Sequence, residues 1–196
     1  FGGPLFTLLK ALTALRLAEH TRTEHHVPAI AIFWVEGEDH DWDEVKSCGL
    51  MDADLNVRSL SVGNPPGAHE RPVAHVCLDE SIETAVAELE ATLRPTEFSR
   101  DILDRLRAAY RPGAGMADAF GQWIESILGP RGLVVYDASD RAAKPIVADL
   151  FAREVEYAGS TSKLAHDAGV RLQERGYHAQ AAAQGESLAL FQLNGA

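Results

Sequence analysis

The stretch Ala29-Ile30-Ala31-Ile32-Phe33-Trp34-Val35-Glu36-Gly37-Glu38-Asp39-His40-Asp41-Trp42-Asp43-Glu44 decides the fold. Its first half, entered through Pro28, is an unbroken apolar run of strand length. A continuous rather than alternating run predicts a strand covered on both faces, as inside a parallel sheet. Its second half turns abruptly polar: six acids and one histidine fall within the nine residues 36–44. In open α/β sheets, ligands gather outside the carboxyl ends of the strands. The acidic loop is therefore expected to sit where a ligand would bind.

Toward the amino end, Leu5, Leu8, Leu9, Leu12 and Leu15 recur at helical spacing and predict a helix with one buried face, fading in the polar stretch His20–His26. Pro4 suits the first turn of that helix, because its missing N–H would be unpaired there anyway. Gly2-Gly3 lead into it, and Thr7 and Lys10 stand in its first turns. Glycines let a backbone approach a ligand closely, and a helix N-terminus offers unpaired N–H groups with a partial positive charge. Gly2, Gly3, Pro4, Thr7 and Lys10 form the candidate set for a phosphate or carboxylate. An ordinary strand-to-helix turn explains the same residues equally well.

Toward the carboxyl end, residues 50–62 and 72–78 are expected as short strands around the turn Gly63-Asn64-Pro65-Pro66-Gly67. Residues 79–128 read as mainly helical, broken at Pro95-Thr96 and at Pro112-Gly113, and are expected to form a helical insertion in the sheet. Gly132-Leu133-Val134-Val135-Tyr136-Asp137 is a second buried strand ending in an acid. A long helix to about Tyr157, another over about Ser162–Arg175 and a last strand over Ser187–Leu193 complete the series. This order of elements predicts an open α/β sheet. The chain opens on Phe1-Gly2-Gly3 without an initiator Met and stops at Asn194-Gly195-Ala196. A partial core over 1–196 of a longer polypeptide is expected, with a strand before Phe1 missing.

Three constellations carry candidate chemistry. The phosphate set is one. The second is Glu38, Asp39, His40 and Asp41. An imidazole titrates near working pH, so His40 suits a general acid or base, or a hydrogen bond to a phosphate or developing oxyanion. The neighbouring acids could orient it, bind a substrate amine, or hold Mg²⁺ through water. Alternatively the run is a solvated turn in which Asp39 or Asp41 caps the next short helix. Trp42, expected to be buried in its middle, weighs against that alternative. The third is Asp137 with Ser139: an acid there suits a ribose hydroxyl or a substrate ammonium. The competing reading makes Ser139 or Asp140 a helix cap.

Other residues carry less. His20, His25 and His26 read as surface groups. Gly159-Ser160-Thr161-Ser162-Lys163 lacks the spacing of a P-loop and reads as a helix-to-helix connection with a serine cap. Tyr177 and His178 line a pocket or belong to a loop. Cys48 and Cys77 have no neighbouring Cys or His at zinc-site spacing, so no metal site is expected and both are assigned to packing.

Composition excludes several classes. With 46% hydrophobic residues a sizeable core forms. A net charge of −11 argues against a nucleic-acid binder, which needs a basic stripe to displace counterions. No apolar run approaches the roughly 18 residues of a membrane helix, and no cleavable leader is expected. Two cysteines suit a reducing compartment rather than a disulfide framework.

Phe1-Gly2-Gly3-Pro4-Leu5-Phe6-Thr7-Leu8-Leu9-Lys10-Ala11-Leu12 followed by Phe33-Trp34-Val35-Glu36-Gly37-Glu38-Asp39-His40-Asp41-Trp42-Asp43-Glu44-Val45 closely resembles the cysteine-adding enzyme family of bacillithiol biosynthesis. Residues 132–140 and the ending Gly176-Tyr177 … Leu190-Phe191 resemble it in the same order. Glu38-Asp39-His40-Asp41 is the specific signature. The resemblance implies a cytoplasmic bacterial ligase that joins cysteine to glucosaminyl malate, the last step to bacillithiol. It implies a Rossmann-like core of the nucleotidyltransferase type, similar to class I aminoacyl-tRNA synthetases. Connecting insertions and a long C-terminal coiled coil supporting a homodimer are implied too, in a protein more than twice this length. A Gly-Gln-Gln stretch that normally precedes Phe-Gly-Gly is absent here. In the implied scheme ATP, or another activated donor, supplies an activated cysteine carboxylate. Gly2, Gly3 and Lys10 would hold phosphates. His40 would stabilise charge or remove a proton, and Asp39, Asp41 or Asp137 would pair with an ammonium or hydroxyls. The competing functions are a nucleotidyltransferase-like enzyme on another substrate, a non-catalytic nucleotide-binding module, and a metal hydrolase built on His40. The last is weakest, since no spaced second histidine accompanies His40.

Overall fold

The computed structural model describes residues 5–179 together with Leu188 and Leu190. Gly2, Gly3, Pro4 and all of the expected strand Ser187–Leu193 except Leu188 and Leu190 lie outside the described residues. The chain forms two compact units, Phe1–Ser139 and Asp140–Ala196.

The first helix, α1 (Phe6–His25), is longer than its leucine spacing predicts. Polarity in its last turns marks a solvated surface, not an end. The hydroxyls of Thr13, Thr21 and Thr23 donate back to the carbonyls of Leu9, Leu17 and Glu19, so these residues stay within the helix. The stop comes at His26, which turns left-handed with φ 54° and donates its N–H to the Thr21 carbonyl. Pro28 follows. The buried face is also rotated from the expected one: Ala11 and Ala18 are buried, flanked by Leu8, Leu12, Ala14 and Leu15, while Leu5 and Leu9 are exposed.

The chain continues through β1 (Ala31–Val35), the single-turn α2 (Trp42–Val45), β2 (Ser47–Met51) and β3 (Val57–Ser61). Then come α3 (Ser81–Thr92), α4 (Ser99–Ala109), α5 (Met116–Leu128) and β4 (Leu133–Asp137). β1 and β4 pair in parallel, with Ala31 opposite Leu133 and Val35 opposite Asp137. Ala31, Val35 and Leu133 are buried and Phe33 and Val135 half-buried against α1 and against Ala117, Phe120, Ile124 and Leu128 of α5. Phe33 and Phe120 meet edge-on at 5.7 Å.

The expectation that the strands are covered on both faces is corrected. Ile32 is 53% and Trp34 60% exposed, and their register partners Val134 and Tyr136 share that face. An unbroken apolar run does not reveal which of its two side-chain sets finds cover.

The block 79–128 divides by its packing. α5 is the layer over the sheet, while α4 packs on α5 and α3 on α4. A second core gathers Trp42, Val73, Val76, Leu78, Ile82, Val86, Met116 and Ala119. Tyr110 packs against both cores, and burial pushes its phenol well above the ordinary tyrosine range.

The two expected short strands are also corrected. Residues 50–62 belong to a hairpin, β2 pairing antiparallel with β3, because Asp52 builds a turn inside the stretch. Its carboxylate accepts the N–H groups of Asp54 and Asn56, both at 2.9 Å, and the Arg58 Nε at 2.9 Å. Residues 72–78 hold a 3-10 turn, Val73–His75, and a single bridge from Cys77 to Gly115. Val76 and Leu78 are buried, so Cys77 between them faces solvent. Cys48 is exposed as well, and neither thiol packs in a core.

The Asp52 turn predicts an acid signature. The Asn56 N–H and the Arg58 guanidinium hold the Asp52 carboxyl below its ordinary 3.8. Its contribution is complete above that value and is lost as pH falls through the lowered one. Asp52→Asn is expected to melt below wild type at pH 7, with the difference closing in acid. A gap that persists unchanged to pH 2 would show that the carboxylate charge is not what holds the turn.

In the second unit, the expected single helix from 140 starts late. Residues 141–143 form turns, Lys144–Val147 is a 3-10 turn containing Pro145, and α6 (Ala148–Glu156) begins after it. α7 (Ser160–Glu174) follows, and the cap at its start is Gly159 at φ 81°, with no serine cap bond. Tyr177 and His178 are exposed. Among the described residues no helix is long and apolar enough to cross a membrane.

Candidate active site

The carboxyl ends of β1 and β4 bring two of the sequence constellations together. Val35 lies opposite Asp137, so Glu36–Asp41 and Ala138–Ser139 leave the sheet side by side. The Ala138 N–H also reaches the Val35 carbonyl, at 3.5 Å. The acidic loop is held by its backbone: the Ala74 N–H donates to the Gly37 carbonyl at 2.9 Å and the Val73 N–H to the Asp39 carbonyl at 2.7 Å.

Gly37 is the hinge of this arrangement, and the sequence reading assigned it no role. It is buried, and a Cβ built on it would lie 2.9 Å from the Ala74 Cβ, 3.1 Å from the Ala117 Cβ and 3.4 Å from the Ser139 Oγ. Only a residue without a side chain lets the loop, the 73–75 turn, α5 and Ser139 meet. Gly37→Ala is therefore expected to overpack, destabilising by roughly 1–3 kcal/mol. Calorimetry on the full-length polypeptide should show a clearly lower melting midpoint. An unchanged midpoint would mean that the two alanines yield freely.

The four signature residues have different surroundings. Asp39 accepts the His40 N–H at 2.7 Å through its Oδ1. Asp41 caps α2, accepting the Glu44 N–H at 3.3 Å. Glu38 and His40 are exposed, and the His40 imidazole makes no hydrogen bond or ion pair among the described residues. Beneath them Trp42 is completely buried and donates its indole N–H to the Asn64 Oδ1 at 3.1 Å. Lys46 reaches the same oxygen at 3.3 Å and pairs with Asp43, whose carboxyl it holds below the ordinary range. A loop that looks like a solvated acidic run is thus pinned to a core by its tryptophan.

Asp137 and Ser139 form one unit. The Asp137 Oδ1 accepts both the Ser139 N–H at 2.8 Å and the Ser139 hydroxyl at 2.6 Å. Its second oxygen accepts no bond among the described residues. Asp79 and Ser81 repeat the motif, and there the serine's two bonds hold the aspartate below its ordinary range. Neither Ser139 nor Asp140 caps a helix; Asp140 accepts the Ala142 N–H at 2.8 Å in a turn.

α1 runs down the sheet and β1 runs back up, so the first turn of α1 lies toward the same carboxyl ends. Thr7 is half-buried there, and the Lys10 ammonium stands over the Phe6 ring at 4.5 Å. No side chain caps this turn and no acid lies in it, so it suits an anion. Among the described residues no three His, Cys, Asp or Glu side chains are grouped to hold a metal ion. A cavity of about 460 Å³ lies elsewhere: Asp52, Arg58, Glu88 and Thr92 line it, and none of the candidate residues does.

A parallel βα layer with ligand-type residues at its strand ends defines a Rossmann-like domain. The model for "Bacillithiol biosynthesis BshC, N-terminal Rossmann-like domain" matches residues 1–196, and the chain belongs to that family. Among its relatives is a Salinibacter ruber protein named "Putative cysteine ligase BshC", 33% identical over 92% of this chain and 33% of its own length. Proteins of the same name from Koribacter versatilis and Chlorobaculum tepidum are 33% and 31% identical, over 97% and 99% of this chain and 35% and 34% of theirs. The chain spans about a third of the length of these curated relatives.

Proposed function

We propose that this domain carries the activation and transfer site of a ligase that adds cysteine to glucosaminyl malate in bacillithiol biosynthesis, within a longer protein. The observation that carries the reading is the meeting of the Glu38–Asp41 loop with Asp137 and Ser139 at paired carboxyl ends of parallel strands. The names of the relatives support the substrate class.

The core acts in the manner of a nucleotidyltransferase. Phosphates of ATP or another nucleotide rest at the start of α1, on Gly2, Gly3 and Pro4 and beside Thr7 and Lys10. The cysteine carboxylate enters activated. The sugar amine forms the amide bond to the carboxyl carbon as the bond from that carbon to its activating oxygen breaks. The departing oxygen keeps the electron pair, and the amine loses a proton. His40, exposed and without an internal partner among the described residues, takes that proton or stabilises charge on the carbonyl oxygen. The unbonded oxygen of Asp137 suits an ammonium or a sugar hydroxyl. Asp39 keeps one oxygen for the same purpose, whereas Asp41 acts chiefly by fixing α2. The polypeptide works in the cytoplasm as a homodimer through a coiled coil.

The test is ligation by the full-length polypeptide given glucosaminyl malate, cysteine, ATP and Mg²⁺, with products read by mass spectrometry. A product heavier by one cysteinyl unit is expected. Its absence with every activated cysteine donor tried would overturn the reading.

A further inference from the structure

A second cavity lies at the opposite end of the sheet. It measures about 250 Å³ and is lined by Leu12, Leu15, Arg16, Glu19, Arg22 and Arg131. Arg131 ends the 3-10 turn two residues before β4, and Arg22 donates to the carbonyl of Ala29, two residues before β1, at 2.6 Å. The cavity therefore sits at the amino ends of both strands. It is a strand length away from Asp137, about 17 Å at 3.3 Å per residue.

Three arginines from two separate segments line it in a chain of net charge −11. Their charge is only partly answered. Glu19 pairs with Arg16 at 3.0 Å. Arg22 is oriented by a neutral carbonyl, which leaves its charge uncompensated and its remaining N–H donors available. Arg131 has no carboxylate partner among the described residues. Leu12 and Leu15 supply an apolar wall that lowers the local dielectric and strengthens any charge-assisted bond made beside it.

We infer that this cavity is an anion site, distinct from the strand-end site, that takes a small di- or polyanion of phosphate or carboxylate chemistry through Arg16, Arg22 and Arg131. Planar guanidinium forks match the oxygens of either group in pairs. One carboxylate against three guanidiniums leaves room for a doubly charged guest. The inference does not depend on the ligase reading.

Calorimetric titration of the full-length polypeptide tests it, with pyrophosphate in one arm and succinate in the other at constant ionic strength. Pyrophosphate can also meet the start of α1, so Lys10→Gln is titrated beside Arg131→Gln. At least one of the two probes is expected to bind wild type, about tenfold more weakly to Arg131→Gln and undiminished to Lys10→Gln. The arm that responds assigns the chemistry as phosphate or dicarboxylate. Should Arg131→Gln fail to fold, Arg16→Gln, whose side chain is 83% exposed, replaces it with the same expectation. Binding that survives both arginine variants, binding lost only in Lys10→Gln, or no binding of either probe overturns the site.

Discussion

Trp42→Ala is expected to destabilise the domain by about 3–5 kcal/mol, the range for removing a large aromatic from a packed core. The indole is completely buried among Val73, Val76 and Met116 and gives its N–H to Asn64. Its removal leaves both a cavity and an amide oxygen short of a donor. Trp42→Phe fills most of the volume and forfeits the bond, so it should lose only about 1–2 kcal/mol. Denaturant melts of the full-length polypeptide give both values. Fluorescence offers a second reading: Trp42 is buried, Trp123 half-buried and Trp34 exposed, so the variant should lose the Trp42 share of the blue-shifted emission while that of Trp123 remains. The consequence reaches the site. Trp42 directly follows Asp41, so freeing it releases the α2 cap and with it His40. An alanine variant that melts within a degree of wild type would show that the backbone bonds of Gly37 and Asp39 hold the loop unaided.

The parts legible in the sequence are those where local pattern and tertiary demand agree. The break at Pro112-Gly113 is legible because the helix it precedes, Met116–Leu128, is an amphipathic run that starts shortly after it and ends at Gly129. β1 and β4 were found because two short apolar runs each end in acids. Trp42 was expected to be buried for a simple reason: a large aromatic inside an acidic run has to go somewhere. The misreadings arise where pattern is silent about partners. Ile32 and Trp34 are as apolar as Val35, and only packing decides which set is covered. The Asp52 turn is made by one carboxylate gathering four donor groups, which no periodicity announces. Cys77 alternates between two buried neighbours, and its exposure follows from a 3-10 turn that fixes the phase. Gly37 escaped notice because its value lies in what three distant residues leave no room for.

The same geometry divides labour within the signature. The Asp41 carboxylate is engaged by the Glu44 N–H and Asp39 by the His40 N–H, so both shape the loop with their charge. Asp137 is oriented by Ser139. These bonds all lie within residues that the sequence already places together, and their effect is to stiffen a platform. On that platform the His40 imidazole is the group left without an internal partner among the described residues.

His40→Ala is accordingly expected to lower the ligation rate of the full-length polypeptide by roughly 10²–10⁴-fold, the span of a positioned proton-transfer group. Stability should hardly change, since an exposed side chain without partners contributes little to folding. The two readouts together separate chemistry from structure: a slow enzyme with a wild-type melt assigns His40 to the reaction. His40→Asn then distinguishes its roles. An amide still donates a hydrogen bond but does not take up a proton near neutrality. Substantial recovery in the asparagine variant would make His40 a charge stabiliser at the carbonyl oxygen. No recovery would make it the base that deprotonates the amine. Ligation that proceeds undiminished in His40→Ala would leave the family assignment intact and move proton transfer to Asp137 or to Glu38.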